Sequence, residues 1–288
     1  MNNEEIKMEV EGKEKKKRNI TSIICVIIGV VCIGVAAVGL YGVYKDYKVG
    51  DDIYNDVEEE FVQIHIPGGD VTNDTTQTDG NSEGSAVPKG PWYELASVDV
   101  AGLKNRYPDV VGWILFEDGS ISYPVVHSNS NDTYLYTTYN GVESIGGSIF
   151  VEAVHKSDFS ETHTLVYGHN MKNGSMFGKL HKYRQSKDYY ENHKYFQIFR
   201  ENEILRYEIF AYQQASIESF VYKEYFTSGK ELGEKLLQNS MVKPDVVIED
   251  DDKIVTLSTC ISSDDYRFVV SAVLVERYDL ENKTLIEE

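Results

Sequence analysis

The chain has 288 residues, of which 41% are hydrophobic and 26% charged, and a formal net charge of −19 at pH 7. That length accommodates one good-sized domain with appendages. The acidic balance argues against nucleic acid as a partner, and its 3 cysteines, two of them inside an apolar stretch, exclude a disulfide framework.

Residues 1–19 are polar and end in Lys15-Lys16-Lys17-Arg18. Ile20 to Tyr44 follows without a charge and is long enough, as a helix, to cross a hydrocarbon core of ~30 Å. Beyond it only Lys45 and Lys48 appear, mixed with Asp46, Asp51 and Asp52, so the positive-inside rule places the N-terminus in the cytoplasm and the remainder outside. A cleaved signal peptide is the competing reading, with Ala36 and Ala37 near its end. The length of the run favours a retained anchor in the lipid bilayer over residues 20–44. Cys25 and Cys32, seven apart, share a helix face and suit packing in lipid or against a partner helix.

Residues 45–90 divide in two. Val49, Ile53, Val57, Phe61 and Ile64 recur at helical spacing among acidic residues, which predicts a short amphipathic helix. Pro67 to Pro91 is rich in Gly, Ser, Thr, Asn and Asp and reads as a flexible stalk, a tether suited to work within a porous wall. The compact domain is expected over 91–288.

Within it, Asp99 is a candidate N-cap for a helix reaching Tyr107, and Pro108 ends it. Nine strand-like runs follow: Val110–Phe116, Ser122–His127, Ser148–Val151, His163–Tyr167, Tyr195–Phe199, Leu205–Gln213, Asp245–Ile248, Ile254–Cys260 and Arg267–Glu276. Short strands at this spacing, separated by polar turns, indicate a mainly β barrel or sandwich. Between Ser219 and Ser240 the pattern is helical.

The chemistry concentrates at the end of one strand. Thr256-Leu257-Ser258-Thr259-Cys260 closes an apolar run with a thiol, and Arg267 stands seven residues on. If Ser262 to Asp265 form a four-residue loop, Ile261 pairs with Tyr266 and Cys260 with Arg267. Opposed Cβ atoms lie ~4.5–5.5 Å apart. A thiol beside a permanent cation suits a nucleophile and a developing oxyanion; a buried core cysteine is the bland alternative. A base is needed. Of 7 histidines, His65 lies before the stalk, and His155, His163, His181 and His193 sit in polar surroundings. His127 ends a strand, and His169 follows the strand Thr164-Leu165-Val166-Tyr167 and a glycine that permits a sharp exit. The residues leave these two as competitors.

Tyr167-Gly168-His169-Asn170, Thr256-Leu257-Ser258-Thr259-Cys260 and Arg267 together resemble the signature of sortases, the cysteine transpeptidases of Gram-positive surfaces, over roughly Trp92 to Tyr278. Asp109-Val110-Val111-Gly112-Trp113-Ile114, Gly147-Ser148-Ile149-Phe150, the N-terminal anchor and the helical insertion are similar to class B members. The resemblance implies an eight-stranded β-barrel with flanking helices after one transmembrane helix. It implies that Cys260 attacks a sorting-signal peptide near the C-terminus of a secreted protein, that His169 is the acid and base, and that Arg267 holds the peptide and the oxyanion. An amine of a peptidoglycan precursor then takes the acyl group. Tyr167, Ser258 and Asn131 fall where class B members line the substrate groove. No cofactor is implied. No metal-ligand spacing is visible, and Asp250-Asp251-Asp252 reads as a solvated turn. Two other readings are an extracellular cysteine endopeptidase, for which the papain-type cysteine context is absent, and a catalytically inactive wall-associated binding module. The last residues, Lys283 to Glu288, carry no hydrophobic tail, so the chain is not read as a wall-anchored substrate itself.

Overall fold

A computed structural model describes residues 3–65, 90–261 and 263–287. The chain divides into two compact units, Met1–Val49 and Gly50–Glu288. Helix α1 (Asn3–Phe61) contains the apolar segment, and it is long and apolar enough to cross a membrane. In the first unit the apolar side chains from Val26 to Tyr44 are exposed. The expected stalk lies outside the described residues up to residue 89.

The second unit starts at Gly50, 41 residues before the start expected from composition at Pro91. Tyr54, Val57 and Phe61 recur at helical spacing on α1 and are all buried in the main core. The helix stops at Phe61 rather than continuing to Ile64. Strand β1 (Val62–Ile64) takes over and pairs antiparallel with β2 (Ala96–Val98). The polar stretch between them therefore separates two segments of one folded unit. Helix α2 (Val100–Arg106) begins as expected, with the Asp99 carboxylate accepting from Gly102 N at 2.8 Å. Arg106 forks onto both oxygens of Glu60 at 2.6 and 2.7 Å.

Eight strands then close a barrel. They are β3 (Val110–Phe116), β4 (Ser122–Val126), β5 (Ile149–Val151), β6 (His163–Tyr167), β7 (Tyr195–Phe199), β8 (Glu203–Ser216), β9 (Ile254–Ile261) and β10 (Ser263–Asp279). Their order is β10-β8-β7-β3-β4-β5-β6-β9, and β9 returns to β10. Closure leaves no unpaired edge within the ring. β4–β5 and β6–β9 are parallel and every other pair in the ring is antiparallel. A short β11 (Thr284–Glu287) hairpins back onto β10. Of the nine runs expected as strands, Asp245–Ile248 is not one. Its apolar residues Val246 and Ile248 instead pack beside the helical insertion.

That insertion forms α4 (Phe220–Lys223) and α5 (Gly229–Asn239), after α3 (Lys187–Asn192). It divides the core in two. Val221, Phe226, Leu232 and Leu236 pack against Leu165, Ile254, Val269 and Val273. The main cluster takes the alternate positions on the same strands: Val166, Val255, Leu257, Phe268, Val270 and Ala272. Period-two alternation thus assigns each residue near Cys260 to one of two faces.

Candidate active site

β9 is buried from Ile254 to Thr259 and reaches the surface at Cys260, which is half-buried and free. Arg267 stands directly opposite Cys260 in the ladder, as the hairpin argument expected. Ile261 pairs with Ser263 rather than with Tyr266, and the ladder is irregular between Ser263 and Arg267. Ser263 to Asp265, expected in the loop, belong to β10 instead, and Ser262 lies outside the described residues. Arg267 is half-buried and donates to the Tyr266 carbonyl at 2.9 Å.

The parallel neighbour β6 leads a histidine to the same rim. Tyr167 lies opposite Ser258, and the Gly168 N–H donates to the Ser258 carbonyl at 3.1 Å. Two residues beyond that pair stand His169 on one strand and Cys260 on the other, at the same rim. His127 runs the other way. Val126 pairs with Phe150, and Phe150 with Tyr167, on an antiparallel strand. Each step toward His127 on β4 is therefore a step away from His169. The remaining histidines have other partners: His65 with Ser97, His155 with Glu161, His163 with Thr256, and His193 with Asp118.

A loop carbonyl orients the His169 ring. Its Nε2 lies 2.6 Å from the Leu135 carbonyl oxygen, an acceptor that fixes the Nε2–H tautomer and leaves Nδ1 as the basic nitrogen. Burial holds this imidazole below its usual range, so it is neutral at pH 7; the Leu135 bond opposes the shift. The exposed Tyr136 ring lies 5.3 Å from it. Among the described residues Cys260 Sγ makes no hydrogen bond, to His169 or to any other group.

Two glycines make this possible by omission of a side chain. Gly168 has no positive φ; the sharp exit expected there is not its reason. A Cβ at Gly168 would stand 2.4 Å from Ile149 Cδ1 and 2.6 Å from the Phe177 ring. Gly147 has φ +50, and a Cβ there would meet the Leu135 carbonyl oxygen at 2.2 Å. The Leu135 oxygen that holds His169 is thus seated against Gly147. Tyr54 in turn donates to the Gly147 carbonyl at 2.5 Å.

The face of β9 that carries Cys260 is polar and tightly bonded. The Ser258 and Tyr222 hydroxyls are 2.8 Å apart, and Ser258 is only 1% exposed. Burial pushes the Tyr222 hydroxyl up to about 12. Tyr167 donates to Glu152 Oε2 at 2.7 Å, and burial and Glu152 both push its hydroxyl well up. Asn131 donates to Glu152 Oε1 at 2.5 Å and accepts from Ala153 N at 2.8 Å. Tyr167, Ser258 and Asn131 therefore share a neighbourhood, joined through Glu152 and Tyr222, which sequence reasoning did not single out. Tyr222 lies in the helical insertion, the one signal that pointed near it.

His181 was also missed. Its Nε2 donates to the Cys260 carbonyl at 3.1 Å, and its ring stacks on Phe268 at 5.3 Å. The polar residues around it concealed the buried Phe177, Leu180 and Tyr183 that seat this turn. Among the described residues no group of three or more His, Cys, Asp or Glu could hold a metal ion. Asp250 and Asp252 accept from Ser228 Oγ and Glu249 N, which makes the acidic run a local turn.

A family model described as "Sortase domain" matches residues 117–275. The chain belongs to the sortase family. Sortases are cysteine transpeptidases, and this one is most similar to those of class B. Sortase B of Listeria monocytogenes is 29% identical over 242 residues, 81% of this chain and 92% of that protein. A crystal structure of sortase B from B. anthracis in complex with AAEK1 superposes with a TM-score of 0.62, covering 81% of this chain and 99% of that one at 24% identity. A Staphylococcus aureus sortase B–substrate complex superposes at 0.56, with 25% identity over 61% of this chain and 84% of that one. The eight-stranded barrel that the resemblance implied is the barrel of this sortase.

Proposed function

We propose that this sortase cleaves a C-terminal sorting signal of secreted proteins and joins the acyl fragment to an amine of a peptidoglycan precursor. The single observation behind this reading is the grouping of His169, Cys260 and Arg267 at one rim of three adjacent strands, supported by the β6–β9 and β9–β10 registers. Neutral His169 takes the thiol proton as Cys260 Sγ adds to the peptide carbonyl carbon. Arg267 faces the oxyanion that results. When the C–N bond breaks, the imidazolium returns its proton to the leaving amine and a thioester remains. The incoming amine adds to that carbonyl and gives a proton to His169, and the C–S bond breaks. Tyr167, Ser258 and Asn131 line the peptide side, positioned by Tyr222 and Glu152. No cofactor or metal takes part in this scheme.

The same reading assigns residues 1–19 to the cytoplasm and 20–44 to a bilayer anchor. The polar stretch from Pro67 to Pro91 is taken as a stalk-like linker, and the catalytic unit works outside the cell against the wall. The charge asymmetry around the apolar run supports that orientation. A reaction of the full chain in detergent with a sorting-type peptide and hydroxylamine tests the chemistry. Mostly hydroxamate is expected, and none from Cys260→Ala. Hydrolysed peptide alone at saturating amine would favour the endopeptidase, and activity surviving in Cys260→Ala would end the thioester scheme.

A further inference from the structure

A recess meets the end of β9 on the face opposite the Cys260 side chain. Asn170, His181, Arg184, Gln185 and Ile261 line a groove of about 380 Å³. It touches both halves of the catalytic pair at one remove. Asn170 follows His169, Ile261 follows Cys260, and His181 holds the Cys260 carbonyl. By strand alternation Ile261 shares the face of Leu257, whereas Cys260 shares that of Ser258 and Arg267. The groove is therefore separate from the Tyr167–Glu152–Asn131 neighbourhood.

Its charge is unusual for this chain. With 47 acidic against 28 basic residues, arginines here find carboxylates readily. Arg106, Arg200, Arg206 and Arg277 all do so. Arg184 is exposed, and among the described residues it pairs with no carboxylate. Its Nη1 lies 3.5 Å from His181 Nδ1, and its guanidinium lies 5.7 Å from the centre of the Phe268 ring. His181 is held neutral by burial, the larger effect, and by Arg184, although its bond to Cys260 opposes this. An Nε2–H directed to Cys260 leaves Nδ1 as an acceptor facing Arg184. The groove thus offers one permanent cation and two amide side chains beside a neutral ring, and no acidic side chain. A primary ammonium finds no counter-charge there; a carboxylate does.

We infer that this groove receives the acyl acceptor, and that the acceptor is an amine carrying a free carboxylate, which Arg184 binds while the amine reaches the thioester beside His169. The inference rests on the transpeptidase reading above. Two substrates must reach one thioester, and the bonded network occupies the other face. A carboxylate anchored at Arg184 holds the acceptor so that its amine, once deprotonated by His169, adds to the thioester carbonyl.

The full chain in detergent, acylated with a sorting-type peptide, is to be offered triglycine or triglycinamide, whose amines are nearly equally basic. Triglycine is expected to capture the acyl group at least about fivefold more efficiently, as kcat/KM for the amine. Arg184→Gln is expected to erase that preference and Arg184→Lys to keep part of it. Equal capture of the two amines by the wild-type chain, or a preference that survives Arg184→Gln, overturns the inference. A raised peptide KM in Arg184→Gln with the amine preference intact assigns the groove to the peptide and also overturns it. Failure of Cys260 to become acylated at all refutes the transpeptidase reading and the acceptor site with it. Normal acylation without a carboxylate preference refutes only the site.

Discussion

The two faces that meet at Cys260 differ in how their polar groups are satisfied. On the side of Ser258, Tyr222, Tyr167, Glu152 and Asn131, the hydroxyls and carboxylate oxygens are already bonded to one another. On the side of Ile261, His181 makes one firm bond and Arg184 is left open to solvent. A closed network holds its members in place before a ligand arrives and contributes shape and positioned dipoles. An open cation keeps its charge for whatever docks. The first arrangement suits a peptide recognised by form, the second a small charged partner.

His169 is the proposed acid and base for both substrates, so removing it should have the largest effect. His169→Ala should slow acylation by at least about a thousandfold, because base and nucleophile act as a unit; His127→Ala should leave most of the rate. Burial disfavours the imidazolium of His169, so protonation needs a pH below 6.5 and the acidic fall in acylation rate should begin only below that value. Single-turnover acylation across pH 5 to 8 measures both. A reverse ranking of the two histidines would transfer the role to the β4 end.

The closed face extends inward to His163, and its burial gives a pH signature. This ring is bonded to Thr256 Oγ1 at 3.0 Å, and burial pushes its pKa down to about 3. Between that value and 6.5 the unfolded chain binds a proton that the folded chain excludes. Stability from this group is therefore full above pH 6.5 and falls as the pH drops, by about 1.4 kcal/mol per pH unit. Denaturant titrations at pH 7, 6 and 5 should show a steeper loss for the wild type than for His163→Gln. Equal slopes would mean that His163 takes up its proton without unfolding.

Arg267 is next in expected effect. Lysine keeps the charge but not two parallel donors, so Arg267→Lys should lose about 2 kcal/mol of transition-state stabilisation. Near-normal kcat/KM would reduce Arg267 to a background charge. The mildest break in the closed face is Glu152→Gln. An amide oxygen accepts from only one of Tyr167 and Asn131, because the other position becomes a donor. Peptide kcat/KM should fall about tenfold with the triglycine preference intact. A loss of that preference instead would show that the two faces act as one site.

The Thr256–Cys260 strand end, its partner Arg267 and the barrel class were legible in the sequence. So were the helical insertion and the Asp99 cap. Each depends on neighbours in the chain: period-two alternation across a hairpin, or a carboxylate three residues before an orphan N–H. The choice of His169 over His127 rested on family resemblance, because two strand-end histidines look alike until the parallel register is known. Local pattern misread Asp245–Ile248 as a strand, since β pairing is not encoded nearby. Gly168 and Gly147 were readable as backbone freedom, yet Gly168 is needed because Ile149 and Phe177 occupy the space of its Cβ. Glu152, Tyr222 and His181 reach Tyr167, Ser258 and Cys260 across 15, 36 and 79 positions of sequence. Only closure of the barrel brings such residues together. The composition and short-range spacing of this chain therefore determine what chemistry it carries, and tertiary packing decides which groups surround that chemistry and which remain open.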